Sequence, residues 1–181
     1  MNLYKAKPLS RKKIQETTNR LRNIFGISME EAFPVVEFME TIIPELGYTI
    51  EICELSELKD EYALTKPEEK ILKIREDVYV NATKNSPRDL FTIAHEIGHI
   101  FFHDLTSIAL ARSDYQIQKF EDPEWQANTF AAELLVPSNV LKGKSVDEVI
   151  EIYKCSRQVA EIQISKNKKA TKRLESLVTI A

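Results

Sequence analysis

All three histidines of the chain fall within nine residues, at positions 95, 99 and 103. The first two belong to the sequence His95-Glu96-Ile97-Gly98-His99, which has the HExxH pattern. Residues four apart on an α-helix lie about 40° apart around the axis and about 6 Å apart along it. Two imidazoles at this spacing can bind one metal ion from the same side. We therefore predict a metal site at His95 and His99.

Glu96, between the two histidines, is expected to lie beside the ion rather than on it. Zinc bound by two neutral imidazoles and one carboxylate keeps a fourth position for water, and it lowers the pKa of that water toward about 7. Glu96 can take the proton of this water and pass it to a leaving amine. The pattern predicts zinc as the cofactor and Glu96 as the catalytic general base.

The residues around the motif predict a helix. Ser86 and Pro87 are residue types typical of the cap and the first position of a helix. At about 100° per residue, one arc of this helix is apolar and the opposite arc carries the motif. The apolar arc contains Leu90, Ile93, Ala94, Ile97, Ile100 and Phe101, and the polar arc contains Arg88, Thr92, His95, Glu96, His99 and His103. A solvent-facing stripe that happens to contain histidine is the alternative, but such a face ordinarily consists of Lys, Glu and Gln.

Gly98 lies in the middle of this helix, where glycine costs about 1 kcal/mol relative to alanine. We expect a close approach of another backbone to explain it. A tolerated accident is the alternative.

The third ligand cannot be His103, although it continues the four-residue series. It lies about 12 Å along the axis from His95, which is too far for one ion with zinc–nitrogen bonds of about 2 Å. His103 is interpreted as a second-shell residue, a residue on the substrate side or the end of the helix. A carboxylate from elsewhere in the chain is needed.

A helix that begins after Asp122 offers this carboxylate. Glu124 is in its first turn, where the helix dipole favours negative charge. Asn128 is four residues further on the same face, so it is predicted to hydrogen-bond a ligating imidazole. Glu133 lies about 180° around the helix from Glu124, so the two cannot point at one ion. The candidates, in order of preference, are Glu124, then Glu133, then the loop residues Glu121, Asp104 and Asp114. Trp125 is interpreted as a core or rim aromatic rather than a substrate platform.

Other elements must position these residues. Two amphipathic helices, ending near Gly26 and Gly47, are followed by a strand over 48–53. The apolar runs at 70–74 and 78–82 predict an antiparallel hairpin directly before the HExxH helix. Residues 104–121 have no clear period and predict a loop. We expect one mainly helical α+β domain over 1–141 and a helical C-terminal appendage over 142–181 with a pattern similar to a helix-turn-helix.

The composition fits a globular protein and excludes disordered or collagen-like chains. The 181 residues are 43% hydrophobic and 29% charged, which allows a sizeable core. No apolar run approaches the roughly 20 residues of a membrane span, and no secretory signal is recognised. We expect a cytoplasmic protein with no membrane partner, in which Cys53 and Cys155 are buried thiols.

Charge is unevenly distributed along the chain. Residues 5–22 and 154–173 each carry a net charge of +6, whereas residues 23–153 carry −14. The basic ends could contact nucleic acid, or they could be solvated helix faces or faces docked on the acidic middle.

The stretches FTIAHEIGHIFFH and EWQANTFAAELLVP, with the spacing between them, resemble the ImmA/IrrE family of bacterial zinc metallopeptidases. The similarity extends over roughly residues 20 to 140. It implies a small zincin-like α+β domain in which His95, His99 and Glu124 match the zinc ligands and Glu96 matches the general base. It also implies a helix-turn-helix repressor as the substrate, cleaved to relieve repression.

Two functions are therefore weighed. The first is a zinc endopeptidase that binds an extended substrate along the strand edge predicted at 78–82. No residue is assigned to stabilise the transition state, and Tyr79 and Tyr115 are the candidates. The second is a regulator that binds a repressor or DNA through the same fold without proteolysis. Complete HExxH machinery favours the first, because a pure binding module has no need of Glu96.

Overall fold

A computed structural model describes residues 4–103, 108–110 and 117–178 of the chain. These residues form seven α-helices, two small sheets and two short 3-10 helices at Lys119–Glu121 and Ser138–Val140. The elements in chain order are β1 (Tyr4–Ala6), α1 (Arg11–Ile24), α2 (Val35–Glu45), β2 (Thr49–Cys53), β3 (Ala63–Lys66), β4 (Ile71–Arg75), α3 (Glu76–Thr83), α4 (Pro87–Phe102), β5 (Ile108–Leu110), α5 (Pro123–Leu135), α6 (Val146–Tyr153) and α7 (Arg157–Val178). None of the described helices is long and apolar enough to cross a membrane.

The helices that carry the predicted site begin where the sequence predicts. Ser86 precedes α4 and Pro87 is its first residue. Asp122 caps α5, and its side chain accepts a hydrogen bond from the backbone N–H of Glu124 at 3.0 Å. Proline at the first helical position costs no hydrogen bond, because that N–H has no partner within the helix. Both helix starts are confirmed.

The larger sheet has the strand order β2-β4-β3. β3 pairs with β4 in antiparallel orientation, whereas β2 pairs with β4 in parallel orientation. The sheet is therefore mixed rather than wholly antiparallel as predicted. The predicted fold class, a small mainly helical α+β domain with a short sheet before the HExxH helix, is confirmed.

The predicted strand at 78–82 is wrong, because these residues lie in helix α3. Five alternating residues are too few to separate a strand from a buried helix by periodicity alone. Glu76 and Asp77 occupy the first turn, where acidic side chains stabilise a helix. Val78 and Ala82, four residues apart, are both buried. The hairpin partner of β4 is instead β3, a strand that the sequence pattern did not indicate.

Helix α4 lies at the centre of the core. It packs against α2, α3, α5 and β3. Ile93, Ala94 and Ile97 are fully buried, as the predicted apolar arc requires. Cys53 and Cys155 are free and buried, which confirms their interpretation as small core residues.

The segment predicted as a loop over 104–121 contains β5, which pairs with β1, and the 3-10 helix at Lys119–Glu121. A three-residue strand is too short to produce a recognisable period. Residues 104–107 and 111–116 lie outside the described residues.

Helix α7 is attached to the end of α5 by buried amide side chains. Gln163 donates hydrogen bonds to the backbone carbonyls of Ala132 and Val136 at 3.0 and 2.7 Å. Asn167 donates to the carbonyl of Ser138 at 2.8 Å. The division of the chain at residue 141 stays a prediction.

Candidate metal centre

Helices α4 and α5 approach each other closely at Gly98. A Cβ atom there would lie 3.1 Å from the Cα of Ala127 and 3.1 Å from Cδ1 of Phe130. Any side chain at this position would push the two helices apart. The predicted close approach at Gly98 is confirmed, and it brings the first turn of α5 next to the HExxH motif.

His95, His99 and Glu124 form one cluster of potential ligand atoms. The Nε2 atoms of His95 and His99 are 3.0 Å apart. They lie 3.3 and 3.5 Å, respectively, from the two carboxylate oxygens of Glu124. All three ligand atoms fall within 4.8 Å of one another, which is close enough for one metal ion. The two imidazoles are largely buried, whereas the Glu124 side chain is half exposed.

A hydrogen bond directs His95 toward the cluster. Its Nδ1 lies 3.2 Å from Oδ1 of Asn128, an acceptor. Nδ1 therefore carries a hydrogen and donates it. Nε2 points at Glu124: in the protonated ring it donates to that carboxylate, and in the neutral ring its lone pair is available to a metal ion. Asn128 is in the position predicted for it.

A longer chain of hydrogen bonds directs His99. The amide of Gln126 donates to the carbonyls of Lys7 and Phe120, both at 2.8 Å, so its oxygen must accept. That oxygen lies 2.9 Å from Nε2 of His103, which therefore donates. Nδ1 of His103 in turn accepts from Nδ1 of His99 at 2.9 Å. Nε2 of His99 is left with its lone pair facing the cluster.

His103 lies between His99 and Gln126 and contacts both. It also caps the C-terminus of α4, and it is 1% exposed. The ring does not reach the cluster itself, as the distance along the helix predicts. Its contacts suit a residue that orients His99.

The pKa values of the cluster differ from one residue to the next. Burial and the neighbouring imidazoles lower the pKa of His99 to about 3, so this ring is neutral at pH 7. Burial opposes the charged form of His95, but the hydrogen bond with Glu124 and the charge of Glu96 outweigh it and raise its pKa. The hydrogen bond with His95 lowers the pKa of Glu124. Two imidazole nitrogens and an ionised carboxylate that face one point fit a divalent cation such as zinc.

Glu96 is held beside the cluster by strand β3. The backbone N–H of Thr65 donates to Oε2 of Glu96 at 2.8 Å, and its hydroxyl donates to the Glu96 carbonyl at 3.2 Å. Glu96 as a whole residue is 8% exposed. Burial raises its pKa, although the charge of His95 and the Thr65 hydrogen bonds act in the opposite direction.

A cleft of about 310 Å³ runs between β3 and the polar face of α4. It is lined by residues 61–65 of the β3 segment and by Thr92, His95, Glu96, His99 and Glu124. The Tyr62 carbonyl accepts from the Arg75 N–H of β4, whereas the Thr65 N–H points to Glu96. Because backbone directions alternate in an antiparallel strand, Ala63 and Thr65 direct their polar backbone groups away from β4 and into the cleft.

The two other described carboxylates considered as ligands are elsewhere. Glu133 is fully buried and pairs with Arg11 of α1 at 3.0 Å. Glu121 completes a capping box with Gln118 at the start of the 3-10 helix. Asp104 and Asp114 lie outside the described residues. Among the described candidates only Glu124 reaches both histidines.

Of the two tyrosines considered for the transition state, the structure describes Tyr79, which does not line the cleft. Tyr79 lies on α3 and donates a hydrogen bond to Glu40 of α2. Tyr115 lies outside the described residues. Trp125 is at the rim of a neighbouring groove, between Arg11 and Lys119 at 6.0 and 5.9 Å from its ring centre.

Sequence reasoning missed Gln126 and Thr65. Gln126 is 0% exposed and lies four residues before Phe130, on the buried face of α5. A polar residue on an otherwise apolar face could have indicated that Gln126 has a buried hydrogen-bond partner. Thr65 acts through its backbone, and nothing local in the sequence indicates that contact.

Comparisons with known proteins agree with this geometry. The profile of the IrrE N-terminal-like domain, a peptidase family, matches residues 45–167. No curated protein and no solved structure was found to match. The matched region includes β3, the HExxH helix and α5, and the chain therefore belongs to the ImmA/IrrE family of metallopeptidases.

Proposed function

We propose that this chain is a zinc-dependent endopeptidase of the cytoplasm that cleaves a helix-turn-helix transcriptional repressor and so relieves repression. One observation carries the peptidase part. Three ligand atoms within 4.8 Å of one another share a cleft with a buried glutamate and with an edge strand that has outward-facing backbone groups.

His95, His99 and Glu124 would hold the zinc. The hydrogen bonds of His95 with Asn128 and of His99 with His103 set both rings with Nε2 toward the cluster. When bound, zinc supplies a Lewis acid that polarises a carbonyl and lowers the pKa of a water.

Glu96 would act as the general base and then as the general acid. The Thr65 N–H holds Oε2, so we assign Oε1 to accept the proton of the attacking water. Burial raises the pKa of Glu96, which suits a carboxylate that must hold a proton and then release it to the leaving amine.

Strand β3 would bind the substrate. An extended peptide can add to an exposed sheet edge through main-chain hydrogen bonds. The N–H and carbonyl of Ala63 and the carbonyl of Thr65 offer such groups, while the Thr65 N–H stays bonded to Glu96. This edge replaces the one predicted at 78–82. Because main-chain pairing along a strand does not need a chain end, it supports cleavage within a protein.

The repressor substrate rests on the family resemblance. The compartment is supported by two buried free thiols, Cys53 and Cys155, since cytosolic proteins keep their cysteines reduced.

The test uses the full chain loaded with zinc and incubated with a proteome-derived peptide library, with new termini identified by mass spectrometry. We expect internal cuts, and we expect Glu96→Gln to reduce the rate roughly 100- to 10,000-fold. Glu37→Gln, an equivalent change at an exposed position on α2, is the control and should leave the rate unchanged.

The second arm replaces the library with the helix-turn-helix repressor encoded nearest the gene. Cleavage that depends on Glu96 supports the substrate assignment. Cuts in peptides but none in the repressor would overturn that assignment alone. If Glu96→Gln cuts as fast as the unaltered chain, the mechanism is wrong. If the Glu96→Gln variant relieves repression fully without cleaving the repressor, the chain is a non-proteolytic regulator instead.

A further inference from the structure

A second groove opens beside the metal centre. It has a volume of about 650 Å³ and lies between α4, α5 and α7. Thr92 lines both this groove and the catalytic cleft, and Asn128 lines the groove while it contacts His95. A peptide that passes the cluster can therefore continue into it.

The rim of this groove is basic and its floor is apolar. The described residues that line it include no Asp or Glu. Four basic residues surround the groove: Arg11, Arg88, Lys119 and Lys166. We call it the basic groove. Phe91, Trp125 and Ile162 supply apolar surface between them, and Ile162 is 44% exposed.

Two of the cations have carboxylate neighbours. Arg11 pairs with Glu133 at 3.0 Å, and Arg88 lies 3.9 Å from Asp89. The hydrogen bond to Glu133 holds the Arg11 guanidinium at the rim, whereas the Arg88 guanidinium lies 4.0 Å from the ring centre of Tyr62.

The two lysines differ from the arginines. Within the described part of the chain, neither Lys119 nor Lys166 forms an ion pair with a carboxylate. Lys119 lies over the ring of Trp125, and Lys166 donates to Gln163 at 2.7 Å. Lys166 is half-buried and faces the charge of Arg11 and Lys119. An anion bound here would relieve this repulsion.

The opposite end of the catalytic cleft has the opposite charge. It begins at Glu61, and the turn before it is lined by Glu57, Asp60 and Glu61, all exposed. Within the turn only Lys59 is basic, and the guanidinium groups of Arg75 and Arg88 lie beyond it over the ring of Tyr62, at 4.5 and 4.0 Å. A substrate segment with negative charge is therefore repelled at this end and attracted at the basic groove.

We propose that the basic groove is a specificity subsite that binds an apolar side chain flanked by Asp or Glu, so that the peptidase prefers an acidic, apolar segment on one side of the scissile bond. This inference rests on the proposed function, since the segment is part of the substrate.

The test measures peptide binding in the groove and does not depend on peptidase activity. Trp125 is the only tryptophan of the chain, so its fluorescence reports on this groove. The probes are two capped peptides, Glu-Leu-Glu and Gln-Leu-Gln, titrated into the zinc-loaded full chain. We expect the acidic peptide to bind about 10-fold more tightly than the neutral one, as for close charge pairs.

A charge-reversed variant checks the cause. Lys119 is exposed, so Lys119→Glu should fold normally and should abolish the preference for the acidic peptide. Lys168→Glu, an exposed position on α7 outside the groove, makes the same change in net charge and should keep the preference. Equal binding of the two peptides, or a preference that survives Lys119→Glu, would overturn the proposal.

Two further outcomes separate the hypotheses. If cleavage sites in the library show no acidic residue on either side, the groove inference fails while the peptidase stands. If the acidic peptide binds selectively but no peptide is cut, the peptidase proposal fails while the groove inference stands.

Trp125 emission that changes on dilution of the chain alone would indicate that a second copy covers the groove, which contradicts the proposal.

Discussion

Helix α5 carries two carboxylates on opposite sides, and they have different partners. Glu133 is 0% exposed, and its oxygens accept hydrogen bonds from Arg11 at 3.0 Å, from Gln15 at 3.3 Å and from the Ser138 hydroxyl at 2.9 Å. Every one of these partners is a donor. Glu133 therefore connects α1 and the turn after α5 as part of the folded structure.

Glu124, nine residues earlier, faces other potential ligands. Its side chain is 54% exposed, and its oxygens point at Nε2 of His95 and of His99. The hydrogen bonds to Asn128 and, through His103, to Gln126 place a hydrogen on Nδ1 of each ring. In the neutral rings each Nε2 then has a lone pair for a metal ion. The partners of a carboxylate, more than its burial, therefore separate a structural role from a metal-binding role.

The largest effect is expected at the structural carboxylate. Glu133→Ala leaves Arg11 and the Ser138 backbone N–H without their partner, which should lower the free energy of unfolding by roughly 3 to 5 kcal/mol. Urea denaturation of the metal-free chain measures this. Zinc affinity should change less than about threefold. A variant that keeps its stability but loses zinc would identify Glu133 as the ligand.

The metal-binding carboxylate should behave in the opposite way. Glu124→Gln should weaken zinc binding by at least about 100-fold, since it removes a ligand rather than a second-shell residue. The stability of the metal-free chain should stay within about 0.5 kcal/mol, because the side chain is half exposed. Competition with a fluorescent chelator gives the affinity. Unchanged affinity would remove Glu124 from the cluster.

A smaller effect sharpens the role of the hydrogen-bond chain. Gln126→Leu removes the hydrogen-bond acceptor that fixes the tautomer of His103. His103 then no longer fixes the orientation and tautomer of His99, which should weaken zinc binding about 10- to 100-fold. Nitrogen-15 shifts of the imidazoles should show Nε2 of His99 without its proton in the unaltered chain and a mixture of tautomers in the variant. His95 is the internal control, because Asn128 is retained. Identical shifts in both proteins would contradict the assignment.

The smallest effect is a pH dependence near the structural carboxylate. Burial, together with the charges of Arg11 and Lys119, lowers the pKa of Lys166 from 10.5 to about 8, and Glu133 acts in the opposite direction. Below pH 8 the ammonium is charged in both states, so its desolvation cost is fully present. Between about pH 8 and 10.5 the unfolded chain retains a proton that the folded chain has lost, so the free energy of unfolding should rise with pH.

Lys166→Met removes both the desolvation cost of the buried ammonium and its titration. It should raise the free energy of unfolding at pH 7 by about 1 kcal/mol and abolish the rise above pH 8. Lys168→Met, exposed on the same helix, is the matched control and should keep the rise. An identical pH dependence in the two variants would contradict the shifted pKa of Lys166.

The sequence predicted those parts of the site that depend on one helix at a time. The spacing of His95 and His99, the caps of α4 and α5 and the position of Asn128 relative to Glu124 follow from helix geometry alone. Gly98 added a prediction about the contact between helices, because a glycine inside a helix has a cost that a close approach explains.

The parts that failed depend on contacts distant in sequence. Strand β3 is four residues long, and its identity comes from pairing with β4 and from the contact of Thr65 with Glu96. Residues 78–82 show strand-like alternation, but the acidic turn before them and packing against α4 make them a helix. Gln126 contacts Lys7, which is 119 residues away, so no local pattern could indicate that hydrogen bond.

We infer that His95, His99 and Glu124 bind one zinc ion. An anomalous difference map at the zinc edge, from crystals of the full chain grown with zinc, tests it most directly. We predict one strong peak about 2 Å from both Nε2 atoms and from an oxygen of Glu124, and no peak beside Glu133. A map without a peak at the cluster, or with its strongest peak elsewhere, would contradict the claim.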